Sequence, residues 1–170
     1  MMARWGNCDY RQLQRLQQKL NKLQSGDIET FCRQCAKELA ARLLAKVIER
    51  TPVGQYDEGS GKAGGTLKRG WTAGSSREAE LSAVFNATPT SARAYVEQLQ
   101  ISKVGNTYQI ELINPVEYAP YVEFGHRKRN HQGWVPGRFM LTISEKELES
   151  QAPKVLERKL MQYLGGLFND

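Results

Sequence analysis

The sequence predicts an α+β domain with N-terminal helices, a small antiparallel sheet of about four strands, and a C-terminal helix. Two observations predict it. Apolar residues recur at helical spacing towards both ends of the chain and alternate at strand spacing only in the middle. The elements follow one another as helices, then strands, then a helix, with no alternating βαβ pattern and no internal repeat. A length of 170 residues suits one such domain. The division expected is a basic amphipathic arm over 1–25 and a single α+β domain over 26–170 that carries a glycine-rich loop at 54–65.

Leu13, Leu16, Leu20 and Leu23 form one apolar stripe of a helix over about 10–24, while Arg11, Arg15, Lys19 and Lys22 fall on a different face. That stripe needs cover from the same subunit, a neighbouring subunit or a membrane surface. It is narrow and has no aromatic anchor, which argues against the membrane. Ser25-Gly26-Asp27 interrupts, and Ser25 or Asp27 is placed to cap a longer helix over about 28–50. Ile28, Cys32, Cys35, Leu39, Leu43 and Val47 advance along one face of it. Thr51-Pro52 stops it, because proline disfavours helical backbone in the residue before it.

Gly54, Gly59, Gly61, Gly64 and Gly65 lie among polar neighbours, so 54–65 has little apolar surface to bury and is expected to be a mobile loop. A short strand is expected over 66–71, and 79–85 reads equally as strand or helix. The clearest β signal is a hairpin in which 95–102 and 107–113 flank Lys103-Val104-Gly105-Asn106, with Tyr108, Ile110 and Leu112 alternating with polar partners. Asn114-Pro115 ends it, and an apolar, aromatic segment follows over 116–125. Beyond a basic loop at 126–138 a last helix begins near Arg138. Met140, Leu141, Ile143 and Leu148 supply its first apolar face, and Val155, Leu156, Leu160, Met161 and Leu164 its second. Pro153 is expected to kink it or start a fresh helix, and Gly165-Gly166 to release the tail.

Composition excludes several classes. Hydrophobic residues at 40% and charged residues at 25% fit an ordinary globular chain. No apolar run approaches the roughly 20 residues of a membrane span, and the first residues lack the apolar segment of a secretory signal. An odd count of 3 cysteines forms no closed disulfide framework and fits a reducing compartment. The expectation is a protein made and kept in a cytoplasm, with no membrane partner.

The formal net charge of +6 is unevenly spread. Residues 1–50 carry 10 basic and 5 acidic side chains, 51–100 carry 5 and 5, 101–138 carry 5 and 3, and 139–170 carry 4 and 5. The excess lies in the N-terminal segment and in His126-Arg127-Lys128-Arg129-Asn130-His131 followed by Arg138, a stretch with no acid. This loop has three readings: a solvated loop, a contact for an acidic surface on a neighbouring protein, or a contact for nucleic-acid phosphate. Arg127, Lys128, Arg129 and Arg138 suffice for a salt-dependent phosphate interaction. Without a stacking row of aromatics or a recognition helix, DNA would be read only as a charged rod. Tyr118, Tyr121, Phe124 and Trp134 bracket the loop, as core residues or as subunit contacts.

Catalytic patterns are few. Cys32-x-x-Cys35 admits a redox or zinc reading, but both residues fall on the apolar face of their helix, where cysteine packs as a small hydrophobe. A structural zinc site needs four ligands, and the remaining candidates are Cys8, His126 and His131. His126 and His131 could suggest a nuclease, yet the nearest preceding acids are Glu117 and Glu123. The chain has no dinucleotide, Walker, nucleophile-elbow or H-E-x-x-H pattern.

Three motifs in order carry a resemblance. Thr51-Pro52-Val53-Gly54 precedes Gly65-Thr66-Leu67-Lys68-Arg69-Gly70-Trp71. Asn114-Pro115-Val116 precedes Tyr118-Ala119-Pro120-Tyr121-Val122-Glu123-Phe124-Gly125-His126-Arg127. Gly133-Trp134-Val135-Pro136-Gly137-Arg138-Phe139-Met140-Leu141 closes the series. Over about 28–150 the chain resembles the HK97-type tail-component family of tailed phages, the neck or tail-completion proteins between the portal and the tail. It departs by the glycine-rich insertion at 54–65 and by extra sequence at 75–100. The resemblance implies no enzyme activity, no cofactor and assembly into a ring, commonly a hexamer. It implies partners among adjoining neck, tail-terminator or tail-tube proteins, with phage DNA in the lumen as a further one, and a place in the virion after assembly in the host cytoplasm. Trp71, Tyr118, Ala119, Val122, Glu123, Gly125, Trp134 and Gly137 carry the family pattern. Arg127, Lys128, Arg129, Arg138 and the helix cations Arg11, Arg15, Lys19 and Lys22 are the expected contacts to partners or DNA. The alternative is a non-sequence-specific DNA-binding accessory protein that uses basic regions 11–22 and 126–138.

Overall fold

The apolar periodicity of the first half of the chain becomes α1, Ile28–Arg50, whose inward residues Cys35, Ala40, Leu44 and Val47 recur every three to five positions. The computed structural model describes residues 14, 15, 17, 18, 21, 28–57, 59, 60, 64–73, 75, 77, 79 and 92–168. Of the expected N-terminal helix, Gln14, Arg15, Gln17, Gln18 and Asn21 are helical and exposed, while its four leucines lie outside the described residues.

The second long element, α5, spans Met140–Phe168 and runs antiparallel to α1. Lys46 and Arg50, late in α1, both pair with Glu147 near the start of α5, Lys46 at 2.9 Å. Lys159 approaches Glu38 at 3.9 Å, and Phe31 stacks on Tyr163 with ring centroids 4.6 Å apart. A short helix α3, Ala92–Gln98, packs against α1 through buried Val96, with Lys37 of α1 held at 2.9 Å by Glu97. The core is where these elements meet the middle of the chain: Leu44, Val47, Val96 and Met140 are at most 1% exposed, joined by Leu67, Trp71, Val116 and Ala119.

The α+β class holds, with four short strands in two separate antiparallel hairpins. β1, Ser102–Val104, pairs with β2, Thr107–Gln109, across the two-residue turn Gly105-Asn106, with Val104 opposite Thr107. β3, Gly125–Arg127, pairs with β4, Trp134–Pro136, with Arg127 opposite Trp134. Among the described residues no helix is long and apolar enough to cross a membrane.

Several local expectations change. Residues 66–70 form a helix, α2, Thr66–Gly70, where a strand was expected. Leu67, Gly70 and Trp71 are all buried, and only helical spacing turns positions i, i+3 and i+4 to one side. The expected strand over 95–102 is helical up to Gln98, because Ala92, Val96 and Leu99 all pack on the core at helical spacing. Regular pairing of the following strand stops at Gln109, although Ile110 and Leu112 continue inward. α5 passes through Pro153 without a break; that residue is exposed, so the carbonyl it leaves unbonded faces water. Gly165 and Gly166 remain inside the helix. Among the residues of 54–65 that are described, 54–57, 59, 60, 64 and 65 take no helix or strand, and most of 79–85 lies outside the described residues.

Two of the long-range ion clusters, at Glu38 and Glu147, set a pH dependence. Burial works against ionisation of Glu38, but the Arg42 hydrogen bond and the charges of Arg42, Lys159 and Arg93 outweigh it and hold the carboxyl below its ordinary 4.5. The Lys46 hydrogen bond is the main cause that holds Glu147 below 4.5, against partial desolvation, with Arg50 assisting. Both carboxyls titrate lower folded than unfolded, so their stabilisation is complete above the ordinary value and fades as pH drops through the folded ones. Melting temperature should therefore fall as pH drops below about 4.5. The double variant Glu38→Gln, Glu147→Gln should melt lower than the parent at neutral pH and show a shallower acid fall.

Candidate functional site

Helix α4, Ala119–Phe124, with Pro120 in its first turn, divides its residues between two faces. Ala119 and Glu123, four apart, point inward and are buried; Tyr118, Tyr121 and Phe124, three apart, point outward. Glu123 is a carboxylate only 5% exposed. Its Oε2 accepts the Leu141 backbone N–H at 3.0 Å, and its Oε1 accepts the Thr142 N–H at 2.9 Å and the Thr142 hydroxyl at 2.8 Å. These are among the first N–H groups of α5, which have no partner inside the helix. The residue at the N-cap, Phe139, has an apolar side chain and a left-handed backbone, φ 49°, so it caps nothing. Glu123 performs from another helix what Ser or Asp does locally, with its negative end against the positive helix terminus.

The backbone reinforces this joint. Arg138 N–H donates to the Val122 carbonyl at 2.8 Å and Phe139 N–H to the Glu123 carbonyl at 3.0 Å. Two glycines permit the approach. A Cβ on Gly137 would overlap the Glu123 carbonyl oxygen, and Gly125, at φ 83°, would overlap the Val135 carbonyl and crowd the Trp134 indole. The hairpin β3–β4 is thereby folded tightly on the end of α4, and the chain returns past it into α5.

The joint presents an outward face of large apolar side chains. Tyr121, Phe124 and Trp134 are 59%, 61% and 59% exposed, and Phe139 and Ile143 each 43%. Tyr121 meets His126 edge to face at 5.9 Å. Arg127 stands across the ladder from Trp134, and Lys128 and Arg129 follow in the connection, all exposed. Among the described residues none of these three cations, nor Arg138, pairs with an acidic side chain. Exposed aromatics beside arginines are the composition of protein interfaces.

The sequence model of a phage family, described as "Bacteriophage HK97-gp10, putative tail-component", matches residues 14–125. This chain belongs to that family. No curated protein and no solved structure matches it. The match begins earlier than the motifs at 51–71 and ends at Gly125, so the basic hairpin and α5 lie beyond it. The chain thus joins a family-defined body, α1 to α4, to a hairpin and helix that Glu123 anchors.

Most of the motif residues build this scaffold. Trp71 is buried; its indole N–H donates to the Thr51 hydroxyl at 2.8 Å, and that hydroxyl donates to the Val47 carbonyl at 2.6 Å. The two halves of the Thr-Pro-Val and Trp motif therefore meet at the end of α1. Asn114 donates to the Leu67 carbonyl at 2.9 Å and accepts the Val116 N–H at 3.2 Å, which ties α2 to the approach to α4. Ala119 is buried, and Val122, Gly125 and Gly137 are half-buried. Tyr118 and Trp134 are exposed.

The expected contact residues are not one cluster. Arg127, Lys128 and Arg129 share the hairpin, whereas Arg138 lines a separate cleft with Val53, Tyr56, Leu67 and Tyr118. Arg15 is exposed on its own helix, and Arg11, Lys19 and Lys22 lie outside the described residues. Sequence reasoning missed Phe139 and Ile143 as surface residues, having placed Ile143 on the inward face of the last helix. The apolar residue at a helix N-cap was the one available signal. As for chemistry, burial pushes the Cys35 thiol up, away from reactive thiolate. Among the described residues no three His, Cys, Asp or Glu side chains converge as metal ligands.

Glu123→Gln keeps the shape but turns an amide NH2 towards one of three donors. It should cost about 1–3 kcal/mol by chemical denaturation, and hydrogen exchange should rise first at the amides of Leu141 and Thr142.

Proposed function

We propose that this tail component is a virion structural protein of the head–tail connection, which assembles as a hexameric ring that joins or terminates the tail. The observation that carries the reading is the outward face of Tyr121, Phe124, Trp134, Phe139 and Ile143 bordered by cations without acidic partners among the described residues. Such a face is unfavourable in water and is stabilised by burial against another protein surface. Family membership supports the tail, and the neck position and the ring are what the motif resemblance implies.

In this reading the α4–hairpin face contacts adjoining copies and adjoining neck, tail-terminator or tail-tube proteins. The chain acts by binding, without catalysis, cofactor or membrane, in a particle assembled in the host cytoplasm. The arm over 1–25, and the loop at 54–65 of the single domain over 26–170, make further contacts. A phage deleted for this protein should accumulate DNA-filled heads and unjoined tails in electron micrographs of lysates; a normal yield of infectious particles would refute the role.

A second reading rests on the hairpin cations Arg127, Lys128 and Arg129, three consecutive exposed residues of β3 and its connection. They would contact phosphate of DNA in the ring lumen, or of DNA in general if the protein is an accessory binder. Affinity for duplex DNA should then drop steeply as salt rises, and Arg127→Glu with Arg129→Glu should reduce it alike for every sequence. Absence of binding at low salt would end this reading.

A further inference from the structure

One side of α1 is left incompletely covered. Cys32, Ala36, Leu39 and Leu43 advance along it at helical spacing and are only half-buried. Beside them lies an open groove of about 340 Å³, walled by Ile110 and Leu112 on one flank and Leu148 of α5 on the other, with Glu145 at the rim. Glu149 stands one turn further along the same side of α5. Both glutamates are exposed, and among the described residues neither pairs with a cation.

The chain has an apolar stripe that matches. Leu13, Leu16, Leu20 and Leu23 line one face of the segment before α1, and Arg11 and Arg15 flank them. The described helical residues of that segment, Gln14, Arg15, Gln17, Gln18 and Asn21, are its polar side and are exposed. We propose that residues 10–24 fold back on α1 as an antiparallel helix and seat their leucines in this groove of the same chain.

Reach and register support it. Helix axes pack about 8–10 Å apart, which the three residues Ser25-Gly26-Asp27 span when extended. From that turn, a helix over 10–24 runs about 22 Å, the distance along α1 to Leu43 at a rise of about 1.5 Å per residue. Equal steps on either side of the turn set Leu20 beside Cys32, Leu16 beside Ala36 and Leu13 beside Leu39. The far end then carries Arg11, level with Ala41, towards Glu145 at the rim of the groove, so charge and apolar stripe agree on one orientation. A tethered segment also meets its groove at a far higher effective concentration than a second copy does.

The test uses the full chain with Cys8→Ser and one engineered pair, Leu13→Cys with Leu39→Cys or, separately, Leu16→Cys with Ala36→Cys. After mild oxidation, peptide mass mapping should find the engineered pair linked within one chain for most molecules. Links that join two chains would overturn the proposal in favour of a neighbour's groove, and absence of both links would overturn it outright. On the parent chain, Leu13→Asp with Leu16→Asp should lower the melting temperature by roughly 5–10 °C; an unchanged melting temperature would contradict the seating.

Discussion

The buried carboxylate of Glu123 is the constraint on which the outward architecture depends. It lies on α4, yet its bonds are to the first turn of α5, so one side chain sets the angle between two helices that share no long interface. The hairpin emerges between them. With Ala119 and Glu123 fixed inward, the rotation of α4 is fixed too, and Tyr121 and Phe124 have no choice but to face water. The aromatic face is therefore a consequence of the cap, and the two features are built by the same six-residue helix.

The rest of the molecule serves as a rigid support. Thr51, at the end of α1, holds the Trp71 indole, and Asn114 holds α2 from the other side. Glu147 and Glu38 cross-link α5 to α1 and, through Arg93, to α3. Surface pairs of this kind add little singly, but here Glu147 gathers two cations of α1 and Glu38 gathers Arg42, Arg93 and Lys159 from three elements, which fixes the packing of long helices more than it adds stability.

The long helices were legible because about six turns of apolar spacing in α1 and about eight in α5 outweigh any local ambiguity. The short elements were not. Five residues at 66–70 read as a strand by composition, and only their shared burial shows a helix. Residues 95–98 have β-favouring Tyr95 and Val96, yet α1 offered a surface that required helical spacing. Among candidate site residues, the basic stretch and the aromatics were visible as types, but not which way they faced: a carboxylate bonded across 18 residues of chain decides that, and no local pattern encodes it. Glu123 itself stood in the motif set without a role. The net charge of +6 left the basic loop's partner open between solvent, protein and phosphate; in the folded chain the hairpin cations sit beside an exposed aromatic face, a combination typical of protein interfaces.

Assembly as a virion component through the α4–hairpin face is the central claim, and a cryo-EM map of the particle's head–tail junction tests it most directly. The account predicts a ring of this chain in which Tyr121, Phe124 and Trp134 are buried against another protein while Glu123 still caps α5. A map in which the chain is absent from the particle, or in which that face looks onto solvent in every copy, would contradict it.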